Sequence, residues 1–453
     1  MLNARPRLQR QSLAGGRRRL LTLAIESSCD DTAVAILRRQ TGRPTQLLFN
    51  ERIASDNRAW GGVNPIIAVM GHHRSLAPLV SRAMAALPPD QPRPDVVAAT
   101  RGPGLPAYLS AGLGVAKGLS LAWGVPFLGI HHLQAHALTP RLVHALQGAD
   151  DGVVMTETEM ELQAVRPVFP FLTLIVSGGH TQLLVSTGLT CHSVIAETID
   201  SAIGNALDQA ARHILTDAEI KLCPDVQYGR HLETFAFPPE LGDVSQQHAS
   251  FFQPALSRHD EQMTCHSGYE WALPGPLKDT RRLAFSFGGI TSHVETITKR
   301  RPDMELAERR QLARHTLQAM FQHVASRLCI AIVDSDPVRR LADSFCDKSL
   351  RLILAGGVAA NRFLPHVLRT TLAARGLPRL ELVVPPLELC TDNAAMIAWT
   401  ADEMFRAGWQ TDLSVCAEPK WSMDSALRGG VDGGSGVEEE GTGQRVVCRD
   451  EPP

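Results

Sequence analysis

Two apolar strand pairs, 151 residues apart, limit what this chain can fold into more than any other feature. LLTLAIES (20–27) and TAVAIL (32–37) read as buried strands around a short polar turn. The turn is too short for a crossover helix, so the pair is a hairpin. FLTLIVS (171–177) and HTQLLVS (180–186) repeat the arrangement around Gly178 and Gly179, with a shared Thr-Leu at 22–23 and 173–174. Each pair opens one half of the chain, which predicts an internal duplication. DVVAAT (95–100), PFLGI (126–130), RLILAG (351–356) and LELVVP (380–385) read as further strands. Helical spacing covers 107–123, 199–213, 305–333, 362–375 and 393–407. Strands alternating with helices imply α/β layers. Segments 145–169 and 215–282, rich in Pro, Asp, Glu, His and Gln without clear period, read as loops or insertions. The Gly- and Glu-rich tail from about residue 424 reads as disordered.

Charge is unevenly spread. The formal net charge is −2, yet Arg5, Arg7, Arg10, Arg17, Arg18 and Arg19 all precede the first acidic residue, Glu26, so the remainder carries −8. An Arg-rich, acid-free leader has the composition of an organellar transit peptide, here expected over residues 1–20 and pointing to mitochondrial import. Residues 108–130 are long enough to span a bilayer, but Lys117 and the Gly124-Val125-Pro126 break predict a buried helix followed by a buried strand, with no membrane partner. Nine cysteines form no CxxC pair, so neither a zinc knuckle nor a disulfide framework is indicated.

Several strings can carry chemistry. His132 and His136 lie four apart after PFLGI, on one face of a helix, where both imidazoles reach one cation. The competing reading is a surface pair in a chain with 17 histidines. Leu133 stands where a zincin HExxH motif needs its general base, which argues against that class of metalloprotease. In CTDNAAMIA, Asp392 completes a two-His, one-carboxylate set suited to Fe(II) or Zn(II). Alternatively Thr391 or Asp392 caps the apolar helix that follows. Ser177-Gly178-Gly179 and Gly356-Gly357 leave strands as glycine turns whose backbone N–H groups can converge on an anion. Neither fits a P-loop or a GxGxxG fingerprint. Asp30 and Asp31 on the first hairpin turn are either catalytic carboxylates or a solvated turn. Asp208, on a helix of small apolar residues, is exposed or functional.

Taken together, LAIESSCDDTAVAI, WGGVNP, TRGPGL, GIHHLQAH, LIVSGGHTQLL, ETIDSAIGNALDQAAR, FSFGGI, LAGGVAANR and CTDNAAMIAW resemble the tRNA threonylcarbamoyladenosine transferase family, formerly described as O-sialoglycoprotein endopeptidases. The likeness runs from about 21 to 423, and the Arg-led chain looks like the mitochondrial type. It implies an actin, Hsp70 and sugar-kinase-like (ASKHA) duplicated two-lobe α/β fold with a central cleft. The lobes would be 21–145 and 170–392, with insertions 146–169 and 215–282. Residues 393–423 would return to the first lobe, and 424–453 would form the tail.

The resemblance also implies an activity and its residues. Threonylcarbamoyl would pass from threonylcarbamoyl-AMP, made by a separate synthase, to the adenosine at position 37 in the anticodon loop of tRNAs reading codons that begin with A. One divalent metal, Fe or Zn, would be held by His132, His136 and Asp392. Ile175, Val176, Ser177, Gly178 and Gly179 would contact the adenylate, with Asp208, Asn361 and, in QYGRHLE, Gly229 as further contacts. The usual prolines around that glycine are missing. Other departures are Ile66, Tyr108 and Thr291. A homodimer in the mitochondrial matrix is expected. The competing readings are an ATPase or kinase of the same superfamily and a non-catalytic scaffold of the same fold. A net-acidic body needs a local basic strip to hold tRNA, and Lys299, Arg300 and Arg301 are the expected one.

Overall fold

The largely apolar stretch at 20–26, interrupted by Thr22 and closed by Glu26, becomes a strand whose residues 21–26 are buried on both faces. The computed structural model describes residues 19–40, 43–147, 165–263, 266–343, 350–377 and 380–427. β1 (Arg19–Glu26) pairs antiparallel with β2 (Asp31–Gln40), which pairs with β3 (Gln46–Ala54). On its other side β1 runs parallel to β4 (Val96–Gly102), and β4 to β5 (Phe127–His131), giving the order β3-β2-β1-β4-β5.

The second sheet holds β6 (Phe171–Val176), β7 (Thr181–Ser186), β8 (His192–Thr198), β9 (Ala284–Phe285), β10 (Leu350–Ala355) and β11 (Leu380–Val383), in the order β11-β10-β6-β7-β8-β9. Setting aside the two-residue β9, both sheets place their strands as third, second, first, fourth, fifth. Pairing senses also match: two antiparallel partners on one side, two parallel on the other. This is the duplication that the paired hairpins predicted.

Helices cover the sheets. α1 (Pro65–Ala85) starts at Asn64, whose side chain accepts from the N–H groups of Ile66 and Ile67, with Pro65 in the first helical position. α2 (Pro106–Trp123) ends on Gly124 at φ 63° and leads into β5, so 108–130 is a helix and a strand. Among the described residues no helix is long and apolar enough to cross a membrane. α3 (His132–Gln147) follows β5 without a loop.

The 215–282 segment departs from its expected loop character. It forms four short helices, Asp217–Lys221, Tyr228–Ala236, Val244–Phe251 and Arg258–Gln262. Two start with capping boxes, Thr216 with Glu219 and Ser257 with Asp260. Tyr228, Leu232, Phe237, Phe252 and Trp271 join the core of the second half. Helices of five to nine residues are too short to print a 3.6-residue period, which is why the sequence looked irregular. Of the 146–169 segment, 148–164 lie outside the described residues.

The last helix, Ala394–Arg406, crosses back to pack on β1, β2 and α3. It buries Trp399 completely. Beyond it the chain runs over both halves. Thr411 N–H donates to the Phe127 carbonyl at 2.9 Å, Glu418 N–H to Arg101 at 2.8 Å, and Ser425 N–H to His192 at 3.0 Å. Arg19 and Leu20, assigned above to the leader, belong to β1, and residues 1–18 lie outside the described residues. Ser425 likewise falls in the stretch assigned to the tail, of which 428–453 lie outside.

The expected basic strip is largely spent within the fold. Lys299 pairs with Glu295 at 2.6 Å, and Arg301 with Glu308 at 2.9 Å and Glu270 at 3.3 Å. One ion pair fastens the last helix to the first sheet: fully buried Asp402 meets Arg39 at 2.7 Å and Arg406 at 3.0 Å. Removing one partner of a buried pair strands the others. Asp402→Ala is therefore expected to lower the unfolding free energy by about 3 kcal/mol. An unchanged urea midpoint would show that the pair does not hold this helix down.

Candidate active site

The β5 to α3 junction sets the histidines. His131, fully buried, accepts at Nδ1 from the N–H groups of Leu133 (3.2 Å) and Gln134 (3.4 Å), serving as the cap of α3, while its Nε2 donates to the Trp421 carbonyl at 3.2 Å. Burial pushes its pKa well below the usual imidazole value, in keeping with this neutral tautomer. With His131 as cap, His132 and His136 fall one turn apart on a single face. Their rings stand edge to face with centroids 4.7 Å apart.

Asp392 arrives from the far end of the chain. His136 Nε2 lies 3.0 Å and His132 Nε2 3.5 Å from its Oδ1. The helix cap that competed for this residue is supplied instead by Asn393, whose side chain accepts from Met396 N–H at 3.0 Å. Asp392 is thereby free to face the histidines. One ligand atom from each of the three residues lies within 4.8 Å of the others. Donors about 2 Å from one cation stand roughly 3–3.5 Å apart in tetrahedral geometry, so small side-chain adjustments suffice. Two imidazoles and a carboxylate suit Zn(II) or Fe(II), and the set fits a divalent ion. Both histidines are buried, whereas the Asp392 side chain is 25% exposed, so access is from its side.

Glu26, passed over in the sequence, stands behind this set. Its Oε2 is 3.3 Å from His132 Nδ1 and accepts from Thr100 Oγ1, while Oε1 accepts from Ser28 N–H at 2.6 Å. Ser28 Oγ is also 3.2 Å from His132 Nδ1. A carboxylate on the rear nitrogen of a ligating imidazole fixes its tautomer and raises its basicity. Burial alone would depress the His132 pKa, but Asp392 and Glu26 hold it up to about 9. Burial alone would raise both carboxyls, yet the facing histidines keep Asp392 and Glu26 below the usual carboxylate values. His136 has no such support: burial lowers its pKa, and its Nδ1 has no hydrogen-bond partner.

The glycine turns adjoin this cluster. Ser177 N–H donates to the His180 carbonyl at 2.8 Å, and Ser177 Oγ accepts from His180 N–H at 3.0 Å, leaving Gly178 and Gly179 exposed. Gly356, at φ 94°, presses on the end of β6: a Cβ there would lie 2.5 Å from the Val176 carbonyl oxygen. The two turns are thus side by side, and a Cβ at Gly357 would sit 4.0 Å from Thr391, next to Asp392. Ile175 and Val176 are strand residues with fully buried side chains, so the part of 175–179 able to present groups is Ser177 to Gly179.

The remaining residues fall into two linked contacts. Asp208 accepts from Gly229 N–H at 2.7 Å, and a Cβ at Gly229 would come within 2.8 Å of Leu207, so glycine is needed for close helix approach. Burial pushes the Asp208 carboxyl up to about 6. Asn361 accepts from Phe363 N–H at 2.9 Å, and Glu233 Oε1 accepts from Arg362 N–H at 2.7 Å. Glu233, not singled out in the sequence, has its carboxyl raised by burial to about 7. On the other side of the cluster Asp30 accepts from Asn57 Nδ2 at 3.1 Å. Asp31 pairs with Arg52 at 3.0 Å, and Arg52 also donates to Thr391 Oγ1 at 3.1 Å. Burial outweighs Arg52 and lifts the Asp31 carboxyl to about 7, the range of a working acid or base.

A family model described as tRNA N6-adenosine threonylcarbamoyltransferase matches residues 47–399. A protein of Schizosaccharomyces pombe named tRNA N6-adenosine threonylcarbamoyltransferase, mitochondrial, is 31% identical over 429 residues, covering 90% of this chain and 88% of that one. Bacterial proteins named tRNA N6-adenosine threonylcarbamoyltransferase are as similar. That of Paramagnetospirillum magneticum is 32% identical over 91% of this chain and 99% of its own. That of Verminephrobacter eiseniae is 34% identical over 89% and 98%.

Two outcomes follow for a cation at this cluster. With His132 protonated up to about pH 9, a divalent ion must displace that proton at neutral pH. Affinity should therefore rise about tenfold per pH unit from 7 to 9 and level off above, with close to one proton released in calorimetry across buffers of different ionisation enthalpy. Proton release near zero at pH 7 would contradict it. Glu26→Gln should weaken Zn(II) binding, measured by chelator competition, about 10- to 100-fold. Unaltered affinity would leave Glu26 a packing residue.

Proposed function

The chain belongs to the tRNA N6-adenosine threonylcarbamoyltransferase family, and from that premise we propose that it transfers threonylcarbamoyl from threonylcarbamoyl-AMP to N6 of adenosine 37 in tRNA. The observation that carries this reading is the convergence of His132, His136 and Asp392 beside two adjoining glycine turns. An acyl adenylate needs its phosphate neutralised and its carbonyl polarised at neighbouring points, and these features lie next to each other.

In this reading the two sheets are lobes of an ASKHA fold around a cleft. The first lobe spans 21–145 and the second 170–392, with 393–423 returning to the first. His132, His136 and Asp392 hold one divalent ion, Fe or Zn. A cation bound there supplies Lewis acidity toward acyl and phosphate oxygens. The N–H groups of Gly178 and Gly179 and the turn at 356–361 receive the AMP phosphate, with Ser177 closing that loop and Asp208, Gly229 and Asn361 positioning the nucleoside. Ile175 and Val176 set the strand end from which that loop leaves. An exocyclic aromatic amine is a weak nucleophile, so holding it in line with the acyl carbon supplies much of the rate. Asp31 is better suited than Asp30 to take the amine proton, since its carboxyl titrates near 7 while Asp30 is engaged by Asn57.

The Arg-rich leader and the mitochondrial name of the fission yeast relative support work in the mitochondrial matrix, as a homodimer supplied by a separate synthase. A purified assay with threonylcarbamoyl-AMP, unmodified tRNA and added Zn(II) or Fe(II) tests the activity. Asp392→Ala should cost at least about 100-fold in transfer, the scale of losing Lewis-acid assistance. ATP turnover without transfer, unaffected by His132→Ala, would favour the kinase reading instead.

A further inference from the structure

Lys299 and Arg301 already share their charge with Glu295, Glu270 and Glu308, which makes other exposed cations worth comparing as the surface that meets RNA. Three other arginines stand next to predicted nucleotide contacts. Arg212 is one turn after Asp208, Arg230 follows Gly229, and Arg362 follows Asn361. All three are exposed, and among the described residues no carboxylate is in ion-pair contact with them. The nearby carboxylates have other partners: Asp208 accepts from Gly229 N–H, Glu233 from the N–H groups of Arg362 and Phe363, and the partly exposed Asp225 lies 3.4 Å from His231. The Arg212 guanidinium lies over the Tyr228 ring, 5.8 Å from its centroid. Arg230 also stands where the family's motif has a proline.

The first half of the chain brings an aromatic to the same place. Trp60 is 61% exposed, an unusual position for an indole in a loop this well fastened. Buried Asn57 clamps that loop, donating to Asp30 Oδ2 and the Ser55 carbonyl and accepting from Asn64 N–H at 3.0 Å. A Cβ at Gly62 would lie 3.8 Å from Arg212 Nη1, so the Trp60 loop and Arg212 are neighbours. Because Asn57 is bonded to Asp30, the indole is tied to the turn beside the candidate metal cluster.

We infer that Trp60 and the arginines Arg212, Arg230 and Arg362 form the rim on which the RNA substrate docks, the indole stacking an unpaired base and the guanidiniums holding backbone phosphates. An exposed, firmly held aromatic beside exposed guanidiniums is how single-stranded nucleic acid is gripped. This rests on the tRNA reading above and adds to it the surface and the division of labour: metal cluster and glycine turns for the adenylate, rim for the RNA.

The test uses the full chain with unmodified tRNA. Arg212→Gln, Arg230→Gln and Arg362→Gln combined should lower the slope of log affinity against log salt by about 2–3, since each phosphate contact contributes roughly 0.7–0.9. Trp60→Ala should raise KM for tRNA about 5- to 100-fold, the range of one lost stacking contact, with Trp60→Phe restoring most of it. KM for threonylcarbamoyl-AMP and bound metal should stay within twofold of wild type, and circular dichroism should match. Unchanged tRNA affinity and salt slope in both variants, or a rise in KM for the adenylate instead, would overturn the inference while leaving the transferase intact. A wild-type chain that neither binds tRNA nor transfers the group would overturn the transferase reading and the rim together.

Discussion

The arrangement depends on one carboxylate oxygen, Asp392 Oδ1, shared by two imidazoles that precede it by more than 250 residues. A buried carboxylate is strongly unfavourable unless opposed. Here the opposing charge is His132, itself flanked by Glu26 on the other ring nitrogen. The line Asp392, His132, Glu26 therefore carries one net negative charge without a metal, or a balanced set when a divalent ion replaces the proton. Asymmetry follows. His132 is backed by a carboxylate and His136 is not, so the two ligands differ in basicity although the sequence presents them alike.

Duplication explains why the site forms where it does. In each half the first hairpin lies at the centre of the sheet, and the turn between its strands projects from the strand end. In the first half that turn carries Asp30 and Asp31; in the second it carries Ser177 to Gly179. The same structural position became acidic in one copy and open glycine backbone in the other. The duplication thus gives the acid-rich turn and the glycine turn equivalent places in their two sheets.

Much of this was legible from residues. The two hairpins, the β5 to α3 histidines and the glycine turns carry strong local signals: apolar runs, i,i+4 spacing, glycine at strand exits. β3 and β8 were missed because both are half-exposed and lack a continuous apolar run, β3 lying at a sheet edge and β8 having only the two-residue β9 outside it. Glu26 was missed because nothing in LLTLAIES marks its glutamate as facing a histidine 106 positions away. The cap was misassigned because Thr391, Asp392 and Asn393 are all good caps, and only the fold decides that Asn393 serves. The acidic neighbours of Lys299 and Arg301 were not legible as a set because Glu270 and Glu308 lie outside the helix that carries Glu295.

The helix Ala394–Arg406 covers β1 and β2, strands completed more than 350 residues earlier. On the ribosome the first sheet must wait for it. From the end of α3 to the end of that helix roughly 260 residues remain to be made, about 13–50 s at ordinary elongation rates. Throughout that interval the apolar face destined for Trp399 has no cover. The first half is therefore held incomplete by translation order, not by any weakness of its own strands.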